Sequence, residues 1–200
     1  MQLAPSGPTL DAGGLGLSLQ HVGGPVVDLD AAVDEHRSLG FDAWVRSPSL
    51  ELTSFDGEIG RFVRQSVRMA FGRGPSGLVV ELIHVDPSTE EGPQARLLAT
   101  HPGLSHVAFW CEDVPRAASL LLGEGASLVT AASPDPERWQ ALHAAQGVAG
   151  LLPELGACYL RLISGALVEL VPTSLWGAPL EAVCGAGIGS ILPAPPAHGP

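Results

Sequence analysis

The sequence predicts an α+β fold of two tandem strand-helix-three-strand modules, and three observations carry that prediction. An apolar phrase, Gly77-Leu78-Val79-Val80-Glu81-Leu82-Ile83, returns as Gly165-Ala166-Leu167-Val168-Glu169-Leu170-Val171, each a buried-strand pattern with one carboxylate in its middle. Upstream of each phrase a histidine stands in an apolar strand, within Leu19-Gln20-His21-Val22 and within Leu104-Ser105-His106-Val107. Seven residues after each histidine comes an aspartate suited to start a helix, Asp28 and Asp113. Histidine and glutamate are 60 residues apart in one half and 63 in the other, so the halves are two copies of one unit.

Residues 1–16 are rich in Gly, Pro and Ser and read as a loose arm ahead of the first module, 17–86. The first strand runs over 17–23, and simple alternation puts His21 on the face of Leu17 and Leu19. Asp28 caps a helix whose apolar residues Leu29, Ala32 and Val33 recur at helical spacing until Gly40. Residues 41–45 form a short strand, 46–64 a long loop, 65–71 a third strand and 78–85 a fourth, with Gly23, Gly24 and 72–77 as turn glycines and their neighbours. A linker over 87–103 carries a short helix at 92–100. The second module, 104–173, repeats the order with strands at 104–111, 126–131, 158–163 and 165–171 and a helix at 113–122. Its long loop, 133–157, holds a helix near 137–145 and stands at the same topological place as 46–64, so the two loops are expected to flank one cleft. Residues 174–200 are a Gly-, Ala- and Pro-rich tail, expected to be disordered or to lie along the surface.

Composition bounds the function. A formal charge of −11 argues against nucleic acid as a partner, because such binding uses basic surface to release counterions. No lysine is present, which removes Schiff-base chemistry and the phosphate loop ending in Gly-Lys-Ser/Thr. No apolar run reaches the roughly 18 residues that span a bilayer, and the first residues lack a signal-peptide pattern, so a soluble cytoplasmic chain is expected. Cys111, Cys158 and Cys184 read as buried core residues rather than a disulfide framework.

A lone carboxylate in an apolar strand costs several kcal/mol unless a cation or polar partner meets it, and the same need recurs at Glu81 and Glu169. With His21 and His106 they make a metal-ligand set of two nitrogens and two oxygens. Arg61, Arg64, Arg68 and Arg73 cluster within thirteen residues, a grouping suited to a substrate carboxylate or phosphate. His143, in the second long loop, is a candidate acid or base facing the cleft. His84 and His101 read as solvated loop residues, and Trp44, Trp110 and Tyr159 as core.

The paired modules, each with His in its first strand and Glu in its last, resemble the vicinal oxygen chelate superfamily, which includes glyoxalase I and methylmalonyl-CoA epimerase. The resemblance covers 17–173, and the linker residues Asp86-Pro87-Ser88-Thr89-Glu90-Glu91 and His101-Pro102-Gly103-Leu104-Ser105-His106 look like the epimerase branch. It implies a curved mixed sheet around one divalent metal ion (Ni, Co, Mn, Zn, Mg or Fe) held by His21, Glu81, His106 and Glu169. It also implies an isomerase, epimerase or lyase that chelates a small acid or thioester with vicinal or enolisable oxygens and stabilises its enolate. The epimerase's third-strand glutamate is missing here; Arg68 and Arg161 fall near the equivalent places, and Glu169 or Glu81 is left as base. An Fe(II) oxygenase and a metal-free antibiotic-binding protein are the alternatives on the same scaffold. Arginine usage and Gly, Ala and Pro content associate with bacterial specialised metabolism. A monomer or homodimer is expected, with the metal site completed within one chain as the simpler arrangement.

Overall fold

The computed structural model describes residues 9–10, 15–89, 91–132 and 135–196. Most of the expected arm, 1–16, lies outside the described residues; Thr9–Leu10 (β1) pairs with the strand that follows it. That strand is β2, Leu17–Pro25, and Asp28 caps α1, Leu29–Ser38, by accepting from the backbone N–H groups of Asp30 and Ala31. Then come β3 (Ala43–Arg46), β4 (Leu50–Asp56), β5 (Arg61–Arg73) and β6 (Val79–Val85). After the linker helix α2, Pro93–Thr100, the second copy gives β7 (His106–Cys111), α3 (Val114–Gly123), β8 (Ser127–Ala132), α4 (Pro136–Gln146), α5 (Val148–Leu151), β9 (Cys158–Arg161) and β10 (Leu167–Pro172). α6, Ala178–Cys184, and a 3-10 turn at Ile188–Ser190 follow.

The sheet closes on itself in the order β2, β6, β5, β4, β8, β9, β10, β7 and back to β2. Two antiparallel seams join the copies, β2 with β7 and β4 with β8. The expected loop at 46–64 is a correction: β3 and β4 are successive pieces of one strand, both paired to the long β5, with a one-residue change of register across Ser47-Pro48-Ser49. Gly23 and Gly24 lie inside β2 and Gly72 inside β5, not in turns.

Alternation sorts each strand between two cores. On the outer face, α1 covers Ala70, Val80 and Leu82 through Leu29 and Val33. α3, α4 and α5 cover the second copy's outer face, where Trp139 and Leu151 meet Phe55, Cys158, Leu160 and Leu170. The inner face is filled from two ends. Leu97 of α2 packs on Val129, Tyr159 and Leu167 at one end. At the other, Leu180, Cys184, Ile188, Ile191 and Leu192 pack on Phe71, Ile83, Trp110 and Val171. The indole N–H of Trp110 donates to the carbonyl of Pro193 at 2.8 Å. The residues after 173 are therefore part of the core as far as the described chain extends, which corrects the expectation of a disordered or surface tail.

Candidate metal centre

Simple alternation along β2 would send His21 outward with Leu17 and Leu19. A bulge between Leu19 and His21 inserts Gln20, and the one-residue slip turns His21 to the inner face. The inserted Gln20 is buried, and its Oε1 lies 2.9 Å from His21 Nδ1. An N–H on Nδ1 donated to that oxygen leaves Nε2 unprotonated, with its lone pair available to a cation.

Two cross-strand rows then assemble the site. Glu81 of β6 stands beside Gly23 of β2, which stands beside His106 of β7. Glu169 of β10 stands beside Ala108 of β7, which stands beside His21 of β2. Each row is a glutamate and a histidine from different copies with a small residue between them. Adjacent strands are about 4.8 Å apart, so the flanking side chains lean over the small residue to converge. A Cβ built on Gly23 would lie 2.7 Å from His106 Cε1 and 2.9 Å from Glu81 Cβ, which is why only glycine fits there.

The convergence is tight. His21 Nε2 is 3.2 Å from His106 Nε2 and 3.3 Å from both Glu81 Oε2 and Glu169 Oε2. His106 Nε2 is 3.3 Å from Glu81 Oε2 and 3.5 Å from Glu169 Oε2. Donors at about 2.1 Å from one ion stand roughly 3.0 Å apart at right angles and roughly 3.4 Å apart at tetrahedral angles, so these separations fit a common cation. His21, Glu81, His106 and Glu169 are 2, 5, 3 and 8% exposed. Glu81 Oε2 and Glu169 Oε2 are buried without a hydrogen-bond partner among the described residues. Two carboxylates with two neutral imidazoles carry two negative charges, which a divalent ion neutralises. The cluster could hold a metal ion, and the four residues fit one.

Electrostatics record the same need. Burial pushes Glu81 up, but His21 first and His106 with it pull the carboxyl down to about 2. Burial lowers His21, yet the carboxylates of Glu81 and Glu169 raise it to about 9. Burial, then the charges of Glu81 and Glu169, hold the Cys184 thiol well above its ordinary range, so it is protonated beside the cluster.

The other candidate residues go elsewhere. Arg64 and Arg68 alternate with Val63, Gln65, Val67 and Met69 on β5, and point outward and exposed, away from the cluster. Arg68 lines an outer cleft of about 180 Å³ with Ser49, Ser66, Val67, His84 and Asp86, so His84 belongs to a strand face rather than a loop. His143 packs against Phe55 and Phe62, ring centroids 4.9 and 5.9 Å away, in the outer core, so it is not an acid or base of the inner cleft. Thus the described part of that loop, 135–157, covers the outer face instead of flanking the site. Arg161 shares the inward face of Tyr159 but sits at the rim, 3.5 Å from Glu58. Tyr159, expected only as core, stands beside Glu169 with its ring 5.0 Å from the ring of His106. Gln20 and Gly23 were equally missed. The one signal for Gly23 is that it and Ala108 are the small residues two places after each histidine.

The family model for the Glyoxalase/Bleomycin resistance protein/Dioxygenase superfamily matches residues 20–142, more than half of the chain. The chain belongs to this superfamily. It is the vicinal oxygen chelate group, and the paired modules and curved, closed sheet are its fold. Among solved structures, a variant of 4-hydroxymandelate synthase from Streptomyces coelicolor is similar at 19% identity and a TM-score of 0.49, over 82% of this chain and 50% of that one. This chain thus spans about half the length of that enzyme. A variant of Streptomyces coelicolor methylmalonyl-CoA epimerase, solved with 2-nitronate-propionyl-CoA, is 23% identical with a TM-score of 0.37, over 77% of this chain and 95% of that one. A hypothetical protein from Bacillus halodurans is 18% identical with a TM-score of 0.42, over 78% and 94%. No curated protein matches the chain. Among the described residues no helix is long and apolar enough to cross a membrane.

Proposed function

We propose that this vicinal oxygen chelate protein is a divalent-metal-dependent isomerase, epimerase or lyase acting on a small acid or thioester with vicinal or enolisable oxygens. The observation that carries the reading is the convergence of four buried donors, two from each copy, on one point. His21, Glu81, His106 and Glu169 hold the ion. When bound, it supplies a Lewis acid that stabilises negative charge on the substrate's vicinal oxygens.

The chain's own residues supply the rest. Gln20 fixes the tautomer of His21, and the buried site excludes water from the charge that develops. The carboxylates within the cluster are Glu81 and Glu169, so one of them doubles as the base that takes the proton α to the substrate carbonyl and returns it. Substrate contacts are assigned to the inward groups at the α2 end, Tyr159 and Arg161, and no longer to Arg64, Arg68 or His143. All four donors come from one chain, so the site does not require a second copy.

Elemental mass spectrometry of untagged protein prepared without chelator tests the reading beside His106→Ala. One divalent ion per chain is expected, lost in the variant. A metal-free chain that also resists reconstitution would remove the proposal in favour of a metal-independent binding protein.

A further inference from the structure

The cluster is sealed from two sides, and the two seals are unequal. Its four donors are all buried, so neither an ion nor a substrate reaches them while both seals are in place. On one side the chain after β10 lays Leu180, Cys184, Ile188, Ile191 and Leu192 onto Phe71, Ile83, Trp110 and Val171. Withdrawing that seal would return five buried side chains to water.

On the other side lies α2, eight residues long, with Pro93 and Leu97 as its buried residues. Leu97 is its anchor in the apolar cluster, packed on Val129, Tyr159 and Leu167. The rest of this seal is polar. Arg96 donates through Nη2 to Asp56 at 2.5 Å and through Nε to Glu58 at 3.1 Å, and Arg161 Nη2 lies 3.5 Å from the other oxygen of Glu58. The side chains of Arg96, Glu58 and Arg161 are each a quarter or more exposed. Ion pairs at that exposure are exchanged for water at little cost.

What lies beneath the two seals differs as well. Thr130 is the cross-strand partner of both Asp56 and Tyr159, so these buried polar residues share the inner face under α2. Buried Gln65 joins them, so close to the start of α2 that a Cβ built on Gly92 would lie 2.3 Å from its Oε1. Glu169, the most exposed of the four donors, stands beside Tyr159. A small acid or thioester arriving from the α2 side meets polar groups, whereas the other side offers an apolar wall.

We infer that α2 is the door of the metal centre: ion and substrate enter and leave by displacement of this linker helix, latched by the clasp of Arg96 on Asp56 and Glu58, while the segment after β10 stays shut. The inference rests on the metal reading above and deepens it. Opening on this side breaks one apolar anchor and a solvated clasp, and it lets water reach Asp56, so no carboxylate is left dry. A helix that opens in this way multiplies the rates of entry and exit by the same open fraction and leaves the equilibrium affinity unchanged.

The experiment follows Co(II) uptake by the metal-free chain and Co(II) release to excess EDTA by stopped-flow absorbance, in wild type, Leu97→Ala, Glu58→Gln, Ile188→Ala and His106→Ala. Leu97→Ala and Ile188→Ala each truncate one buried aliphatic anchor, one on each side, so a general loss of stability moves both alike. Leu97→Ala is expected to raise uptake and release together at least about 10-fold, and Glu58→Gln about 2- to 5-fold, with the ratio of the two rates kept. Ile188→Ala should keep both wild-type rates. Exchange in Ile188→Ala as fast as in Leu97→Ala, or faster, overturns the inference, and so does release that rises without uptake, which means loosened ligands. If Leu97→Ala does not unfold cooperatively in a thermal melt, Glu58→Gln decides, and wild-type rates there overturn it. A wild type that binds Co(II) and a His106→Ala that does not, beside unchanged rates in Leu97→Ala and Glu58→Gln, sinks this inference alone. A wild type that binds no Co(II) sinks the metal reading and this inference together.

Discussion

Without metal, His21 and Glu81 stabilise the fold by sharing protons and charge, and that support has a pH window. His21 is raised from 6.5 to about 9, so its contribution is complete below 6.5 and fades as pH rises through about 9. Glu81 is lowered from 4.5 to about 2, so its contribution is present above 4.5 and fades as pH falls through about 2. Metal-free protein should therefore melt highest between about 4.5 and 6.5 and lose Tm from there to pH 9. A bound cation takes the place of the proton and needs His21 neutral, so the Tm gain from added metal should grow over the same rise in pH. Calorimetry across pH 5 to 9, with and without chelator, checks both trends; a flat metal-free profile would contradict them. Gly23 gives a second outcome at this scale. Gly23→Ala drives a methyl into the His106 ring and Glu81 Cβ, and is expected to abolish metal retention while far-UV dichroism is kept. The four residues of the candidate metal cluster were legible because their phrases repeat. The bulge that aims His21 was not, because one inserted residue leaves no mark in an apolar strand.

At the scale of elements, what sequence missed was what has weak contrast. In β4, Leu50 and Leu52 alternate with Glu51 and Thr53, but Pro48, Gly57 and Gly60 surround that short run with loop signals. The pairing that makes it a strand comes from β5 and β8, far along the chain. The segment after β10 was missed for a related reason. Leu180, Cys184 and Ile188 recur every four residues, a helical signal, yet Gly185, Gly187 and Gly189 interrupt it. Ile188 is fully buried against the inner core, so Ile188→Ala should cost about 2–5 kcal/mol of stability by denaturant titration. A surface-like cost under 0.5 kcal/mol would mean that this segment does not seal the inner face in solution. His143 was misplaced because the helix that carries it has no apolar stripe to show which way it faces, and it turns the ring to Phe55 and Phe62.

For the molecule as a whole, closure depends on two unequal seams. β2 and β7 are paired at five positions, whereas β4 and β8 are paired at three. The shorter seam is held from α2: Arg96 meets the buried Asp56 at 2.5 Å and Glu58 at 3.1 Å, and Glu58 in turn meets Arg161 of β9. Arg96→Ala strands the Asp56 carboxylate away from water, at a cost of about 3 kcal/mol. Faster amide exchange should then appear first at Ser54, Phe55 and Asp56 and not along β2. Uniform acceleration across the ring would mean that the seams open together. The overall architecture was legible because two copies of a unit constrain each other; which seam is weaker was not, because that depends on pairings between distant strands.

The crossed rows over Gly23 and Ala108 bear on ancestry. Each glutamate shares its cross-strand row with the histidine of the other copy, so neither row of the cluster is complete in a single copy folded by itself. A half-length forebear could have brought all four donors together only on the dyad of a pair, whereas in one chain each half is free to change without the other. Gly23 and Ala108, the equivalent small residues of the two rows, and Phe71 and Tyr159, the cross-strand neighbours of Glu81 and Glu169, are where the two copies differ.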